Sequence, residues 1–197
     1  MQLYLGLDPH QFPHAIHYPV IRTELILSDA LKEALLLYPQ FTHWIFTSKS
    51  CVRYWCSVAK LNPATMIAIG EATADEIRLQ GMEPLVARSA TQEGVIELLE
   101  TLELEKTYIF YPHSKKARSC LTLYLQKRNV RFFSLDLYDT LFQRPEPVPV
   151  LDNVDEIIFT SPSTVEGFLR IFKEIPKDKK LSCIGPITER EMRKHFI

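Results

Sequence analysis

The chain has 197 residues, 46% of them hydrophobic and 24% charged, with a formal net charge of −1. That is an ordinary globular composition, and it excludes the strongly basic surface of a nucleic-acid binder. No apolar run reaches the roughly 20 residues that span a bilayer, and the opening "MQLYLGLDPH" lacks the basic start and apolar centre of a secretory signal.

Short apolar runs alternate with amphipathic stretches, the pattern of an α/β fold with parallel strands. Strands are predicted over Leu3–Gly6 and Ile16–Val20, and a helix over Asp29–Tyr38. Strand Trp44–Thr47 then leads to helix Ser50–Lys60, Met66–Ile69 to Thr73–Gln80, and Pro84–Ala87 to Gln92–Leu102. Tyr108–Tyr111 precedes a helix over Ser114–Lys127, and Val130–Leu135 follows as a strand. The last units are Ile157–Thr160 with Thr164–Lys173, and Leu181–Ile184 with Thr188–His195. Gly81 is placed to end its helix in the left-handed conformation, and Thr91 to cap the next one. The one break in composition is "RPEPVPVLDN" (Arg144–Asn153), whose prolines favour an extended connector.

Cys51, Cys56, Cys120 and Cys183 show no metal-ligand spacing, so free thiols in a reducing, cytoplasmic setting are expected. His10, His14 and His17 are close in sequence, but Pro9 and Pro13 spoil a helical ligand face, and no metal site is expected there.

A repeat is more informative than any single element. "FTSKS" at Phe46 is followed by "IAIGEAT" at Ile67, and "FTSPS" at Phe159 by "SCIGPIT" at Ser182. In each half a strand ends in Thr-Ser, a helix follows, and the next strand ends in Ile-Gly-x-x-Thr. Ligands of open parallel sheets sit beyond the carboxyl ends of the strands, where helix N-termini favour anions. Thr47, Ser48, Lys49, Gly70 and Thr73, with Ser161, Ser163, Gly185 and Thr188, are therefore candidate binding residues for carboxylates or phosphates. Each hydroxyl is equally explained as a helix cap. Lys115, Lys116 and Arg118 oppose the dipole of the helix start predicted around them; anion binding would explain them, and so would a solvated basic face. Neither a P-loop nor a Gly-x-Gly-x-x-Gly motif is present.

These blocks resemble those of the uroporphyrinogen-III synthase family. The resemblance rests on "FTSKSCV" (Phe46–Val52) and "FTSPSTV" (Phe159–Val165), on "IGEATA" (Ile69–Ala74) through Gly81, on "LYDT" (Leu137–Thr140), and on "CIGPIT" (Cys183–Thr188). Together they run from about Ile16 to Thr188, most of the chain.

The resemblance implies two flavodoxin-like parallel-sheet domains joined by two crossing segments, with a cleft between them. Residues 1–20 with 142–197 would form a discontinuous first domain, and 21–141 an inserted second one. It implies a cytoplasmic enzyme that cyclises the linear tetrapyrrole hydroxymethylbilane with inversion of ring D and loss of water, without metal or organic cofactor. Tyr138 matches the family's candidate proton donor, and the hydroxyl turns would hold the substrate's carboxylates. No nucleic-acid or membrane partner is implied. The alternative is a non-catalytic or degenerate two-domain homologue that binds an anionic ligand.

Two departures from the family pattern stand out. Only "LDPHQFPHA" (Leu7–Ala15) separates the first two strands, too short for the usual crossover helix. The sequence ends at Ile197, one helix after Gly185, where family members continue with a further strand and helix, so the first domain is expected to be trimmed at both ends. Either a loop anchored by Phe12 covers its bare face, or a subunit contact does; the family state is a monomer, and a dimer would form through that face.

Overall fold

The computed structural model describes residues 1–195. The chain begins with β1 (Gln2–Tyr4), β2 (Ile16–His17), β3 (Ile21–Leu25), α1 (Asp29–Leu37), β4 (His43–Phe46), α2 (Lys49–Val58), β5 (Thr65–Ala68) and α3 (Glu71–Arg78). It continues through β6 (Leu85–Val86), α4 (Gln92–Leu99), β7 (Tyr108–Ser114), α5 (Cys120–Lys127), β8 (Arg131–Phe142), β9 (Glu156–Phe159), α6 (Pro162–Phe172), β10 (Lys180–Cys183) and α7 (Pro186–Arg193). Contacts divide it into two units, Met1–Thr23 with Thr140–Ile197, and Glu24–Asp139.

The second unit is built on a six-stranded sheet in the order β3-β8-β7-β4-β5-β6. Side chains alternate across the pleat, so each strand feeds two cores. Trp44, Phe46, Met66, Ala68 and Phe110 face Val52 and Trp55 of α2 and Ala74 and Ile77 of α3. Ile45, Ile67, Ile109 and Tyr111 face Val95 and Leu99 of α4 and Leu121 and Leu125 of α5. Helices start where a hydroxyl accepts an orphan amide: Ser28 from Leu31 N, Ser48 from Cys51 N, and Thr91 from Gly94 N. Gly81, at φ 80°, ends the α3 segment as predicted.

Two features of this sheet escape the sequence reading. β3 is an edge strand, and it runs against β8 in the antiparallel sense: Ile26 N donates to Leu137 O at 2.9 Å and Gln143 N to Val20 O at 3.0 Å. β8 extends through "LYDTLF" to Phe142, well past the predicted end at Leu135. The remaining pairs of the sheet with recorded register are parallel.

The first unit holds a four-stranded sheet, β10-β9-β1-β2, paired in parallel. One face is a core of Leu3, Leu5, Ile157 and Phe159 against Val165, Phe168 and Met192 of α6 and α7. On the other face the segment between β1 and β2 folds over Tyr4. Its Phe12 ring lies 5.3 Å from the Tyr4 ring, and Tyr4 Oη donates to Asp8 O at 2.6 Å. The carboxylate of Glu156 on β9 accepts from Gln2 Nε2 at 2.7 Å and Ser182 Oγ at 2.5 Å, with Lys180 Nζ at 3.0 Å.

Candidate active site

The turn after β4 carries Thr47, Ser48 and Lys49, and α2 starts on Ser48. Ser48 Oγ accepts from Cys51 N at 3.1 Å and also lies 2.8 Å from Tyr138 Oη. One hydroxyl thus caps a helix and holds a phenol. Thr47 is hydrogen-bonded to Tyr111, and burial pushes the Tyr111 phenol well above its ordinary pKa.

Tyr138 reaches Ser48 because of a β-bulge. His113 pairs with Asp136 but Ser114 pairs with Tyr138, leaving Leu137 as an extra residue in β8. Leu135, Leu137 and Tyr138 consequently all face the core of α1 to α3, where strict alternation would send Tyr138 to the opposite face. The Tyr138 ring stacks on Tyr54 of α2, with centroids 5.5 Å apart. Burial raises its phenol to about 12, against the opposing pull of hydrogen bonds from Ser48 and Ser114. At neutral pH it is a protonated donor. Tyr54 and Ser114 had no signal in the sequence, since neither belongs to the repeat.

Gly70 precedes α3 with an extended backbone, and a Cβ there would sit 3.0 Å from that of Ala90. Thr73 is buried in the first turn. The basic segment is not helical where a helix was predicted. β7 runs through Ser114, Lys115 N donates to Tyr138 O at 2.8 Å, and α5 begins only at Cys120. Lys115, Lys116 and Arg118 therefore lie in a turn and oppose no helix dipole. Arg118 is committed to a two-pronged ion pair with Glu93, at 2.6 and 2.7 Å, which holds the Glu93 carboxyl at about 2. The buried Gln92 side chain ties the turn down, donating to Arg118 O and Tyr111 Oη and accepting from Leu121 N.

In the first unit the matching turn follows β9. Thr164 Oγ1 accepts from Thr160 N at 3.1 Å and Ser161 N at 3.2 Å and donates to Ser161 O, so the turn is locked by its own helix. Ser163 is half-buried in the first turn of α6. Gly6 allows β1 to approach this turn: a Cβ there would lie 2.5 Å from Thr160 Cγ2. Gly185, exposed at φ 86°, precedes Pro186 at the start of α7. Thr188 is 2% exposed and donates to Ile184 O at 3.0 Å, so its hydroxyl serves the local fold. Thr47, Ser48 and Tyr138 are brought together in the second unit, and Ser161 and Ser163 at one turn of the first.

A model of the family described as Uroporphyrinogen-III synthase HemD matches residues 11–197. The chain belongs to this family. A Methanothermobacter thermautotrophicus protein named "Putative uroporphyrinogen-III synthase" is 26% identical, over 93% of this chain and 81% of that one. Among solved structures, the uroporphyrinogen-III synthetase of Helicobacter pylori superposes with a TM-score of 0.70 at 18% identity, covering 100% of this chain and 89% of that one. A mutant uroporphyrinogen III synthase of Thermus thermophilus gives 0.67 at 19%, with the same coverages of 100% and 89%. At such identities the two structures speak for the uroporphyrinogen-III synthase fold, α/β with mostly parallel sheets. Among the described residues, no helix is long and apolar enough to cross a membrane.

Proposed function

We propose that this chain is a cytoplasmic uroporphyrinogen-III synthase that cyclises hydroxymethylbilane with inversion of ring D and loss of water. The observation that carries the reading, beyond family membership, is the buried, protonated phenol of Tyr138 held by Ser48 at the carboxyl end of β4 in a mostly parallel sheet. Loss of the terminal hydroxymethyl oxygen as water needs a proton, and a phenol raised to about 12 keeps its own at any ordinary pH. The azafulvene so formed is attacked from the substituted carbon of ring D, and the spiro intermediate fragments and recloses. The protein's larger task is positional, because the same chain left in water closes without inversion.

Each unit, taken by itself, offers groups that suit a substrate rich in carboxylates. In the second unit these are the backbone N–H groups at the starts of α2 and α3 with the hydroxyls of Thr47 and Ser48, and in the first the start of α6 with Ser161 and Ser163, all without a dense fixed charge. Lys49 adds a cation at the first position of α2. The test is to supply freshly generated hydroxymethylbilane and separate the product isomers. Type III product formed faster than spontaneous closure supports the reading; type I product at the spontaneous rate overturns it.

A further inference from the structure

The bulge that turns Tyr138 toward Ser48 leaves different chemistry on the opposite face of the same strands. Ser134 and Asp136 stand two residues apart on β8, and Asp136 pairs directly with His113 on β7. His113 Nε2 lies 2.7 Å from Ser134 Oγ, and His113 Nδ1 lies 3.3 Å from Asp136 Oδ1 and 3.0 Å from Ser114 O. With two acceptors before it, Nδ1 carries the proton. Nε2 is then left to accept from the Ser134 hydroxyl, the tautomer a general base requires. Ser134 is exposed, whereas the His113 side chain is only 14% accessible and rests against the Tyr111 ring at 4.5 Å. All three residues line a cavity of about 600 Å³ that also receives Lys115, Ser119 and Thr122.

We propose that Ser134, His113 and Asp136 are a nucleophile–base–carboxylate set that hydrolyses small esters whose acyl part carries a carboxylate. Hydroxyl, imidazole and carboxylate in this order are recognised by geometry and role, not by sequence position. Ser134 Oγ attacks the ester carbonyl, forming a C–O bond as its proton passes to His113 Nε2. The imidazolium is held by Asp136 and Ser114 O. The tetrahedral adduct collapses with cleavage of the bond to the alcohol oxygen, which takes the proton from Nε2 and leaves as the alcohol. Water, deprotonated in turn by His113, then releases the acyl group as a carboxylic acid and restores Ser134. Lys115 supplies the positive charge that selects an anionic acyl chain. Arg118, on the same wall, is held by Glu93. This activity is independent of the tetrapyrrole reading, because it uses neither Ser48 nor Tyr138.

The test uses the whole chain with a fluorophosphonate, which phosphonylates an activated serine with loss of fluoride, followed by peptide mapping by mass spectrometry. Labelling at Ser134, together with faster hydrolysis of 4-nitrophenyl hemisuccinate than of 4-nitrophenyl acetate, supports the proposal. His113→Ala should then slow both about 10²-fold or more, and Lys115→Ala should remove the preference for the hemisuccinate. Labelling elsewhere only, no labelling, or ester turnover unchanged in Ser134→Ala overturns it. The labelling of unsubstituted protein does not depend on any variant folding. If Ser134 and His113 merely brace the strands, Ser134→Ala lowers the melting temperature and the wild type still shows no labelling.

Discussion

Ser48 Oγ and Tyr138 Oη, ninety positions apart in the chain, meet at 2.8 Å in the second unit. Tyr138→Phe keeps the ring on Tyr54 and removes only the hydroxyl. We expect type III product formation to fall about 10-fold, the low end of general-acid effects because this leaving group departs readily. Stability should drop by about 1 kcal/mol for the lost hydrogen bond, as read from urea melts. Full turnover in this variant would make the tyrosine structural.

The raised pKa of Tyr138 gives a second expectation. Burial lifts the phenol from 10.0 to about 12, so folding favours its protonated form. Its stabilising contribution is complete below pH 10 and is lost as pH rises from there toward 12. The acid limb of the rate profile should be free of this group, and no loss of activity attributable to it should appear below about pH 11. A wild-type decline near pH 8 that disappears in Tyr138→Phe would contradict this assignment.

Acid sensitivity should centre on Glu156 in the first unit. Hydrogen bonds from Ser182, Gln2 and Lys180 hold its carboxyl at about 2, below the ordinary 4.5. A depressed carboxylate contributes stability above pH 4.5 that is lost as pH falls toward 2. We expect on the order of 1–2 kcal/mol to disappear across that window. Glu156→Gln should start lower at pH 7 and lose less on acidification, a difference that denaturant melts at pH 7 and pH 3 would reveal.

Gly6 and Thr160 form a pair that a double-mutant cycle can resolve. A Cβ on residue 6 would meet Thr160 Cγ2 at 2.5 Å and Oγ1 at 2.7 Å, and Tyr4 Oη at 2.8 Å. Gly6→Ala should cost about 1–3 kcal/mol by overpacking. Adding Thr160→Ala removes two of those three contacts and should recover part of the loss, with a coupling of at least about 0.5 kcal/mol. Additive losses would place the strain elsewhere.

Thr188 separates a fold role from a ligand role. Its hydroxyl donates to Ile184 O and is almost wholly buried. Thr188→Ser should keep the wild-type melting temperature within a few degrees, and Thr188→Val should lose about 1 kcal/mol with KM unchanged. A large rise in KM for Thr188→Val without loss of stability would return it to the binding surface.

The architecture was legible because its signals are local. The apolar run Trp44–Phe46 followed by a capping Ser48 shows a strand, a turn and a helix within a few residues, and Phe159 with Ser161 shows them again. The edge strand at Ile21–Leu25 was hidden because its alternation is carried by only a few residues beside Pro19. The segment around Lys115 reads as the start of a helix from its amphipathic pattern, although its basic residues oppose the dipole; what keeps it on the sheet is a hydrogen bond to Tyr138 O, a partner distant in sequence. Among the site residues, the repeat exposed the hydroxyls of the turns. It could not show that Arg118 is taken by Glu93, that Thr188 turns inward, or that Tyr54 and Ser114 attend Tyr138. Those are tertiary relations, and no spacing rule encodes them.

The extra residue in β8 also has a genetic meaning. Leu137 is the position at which the strand carries one residue more than its partner. Loss of that single codon, in frame, would shorten the strand by one residue and restore strict alternation. The phenol of Tyr138 would then follow Asp136 directly, still opposite Ser114 and still on the face of Leu135. A lost codon here would thus keep the chemistry of the two sides of the sheet apart and would cost only the buried Leu137 side chain.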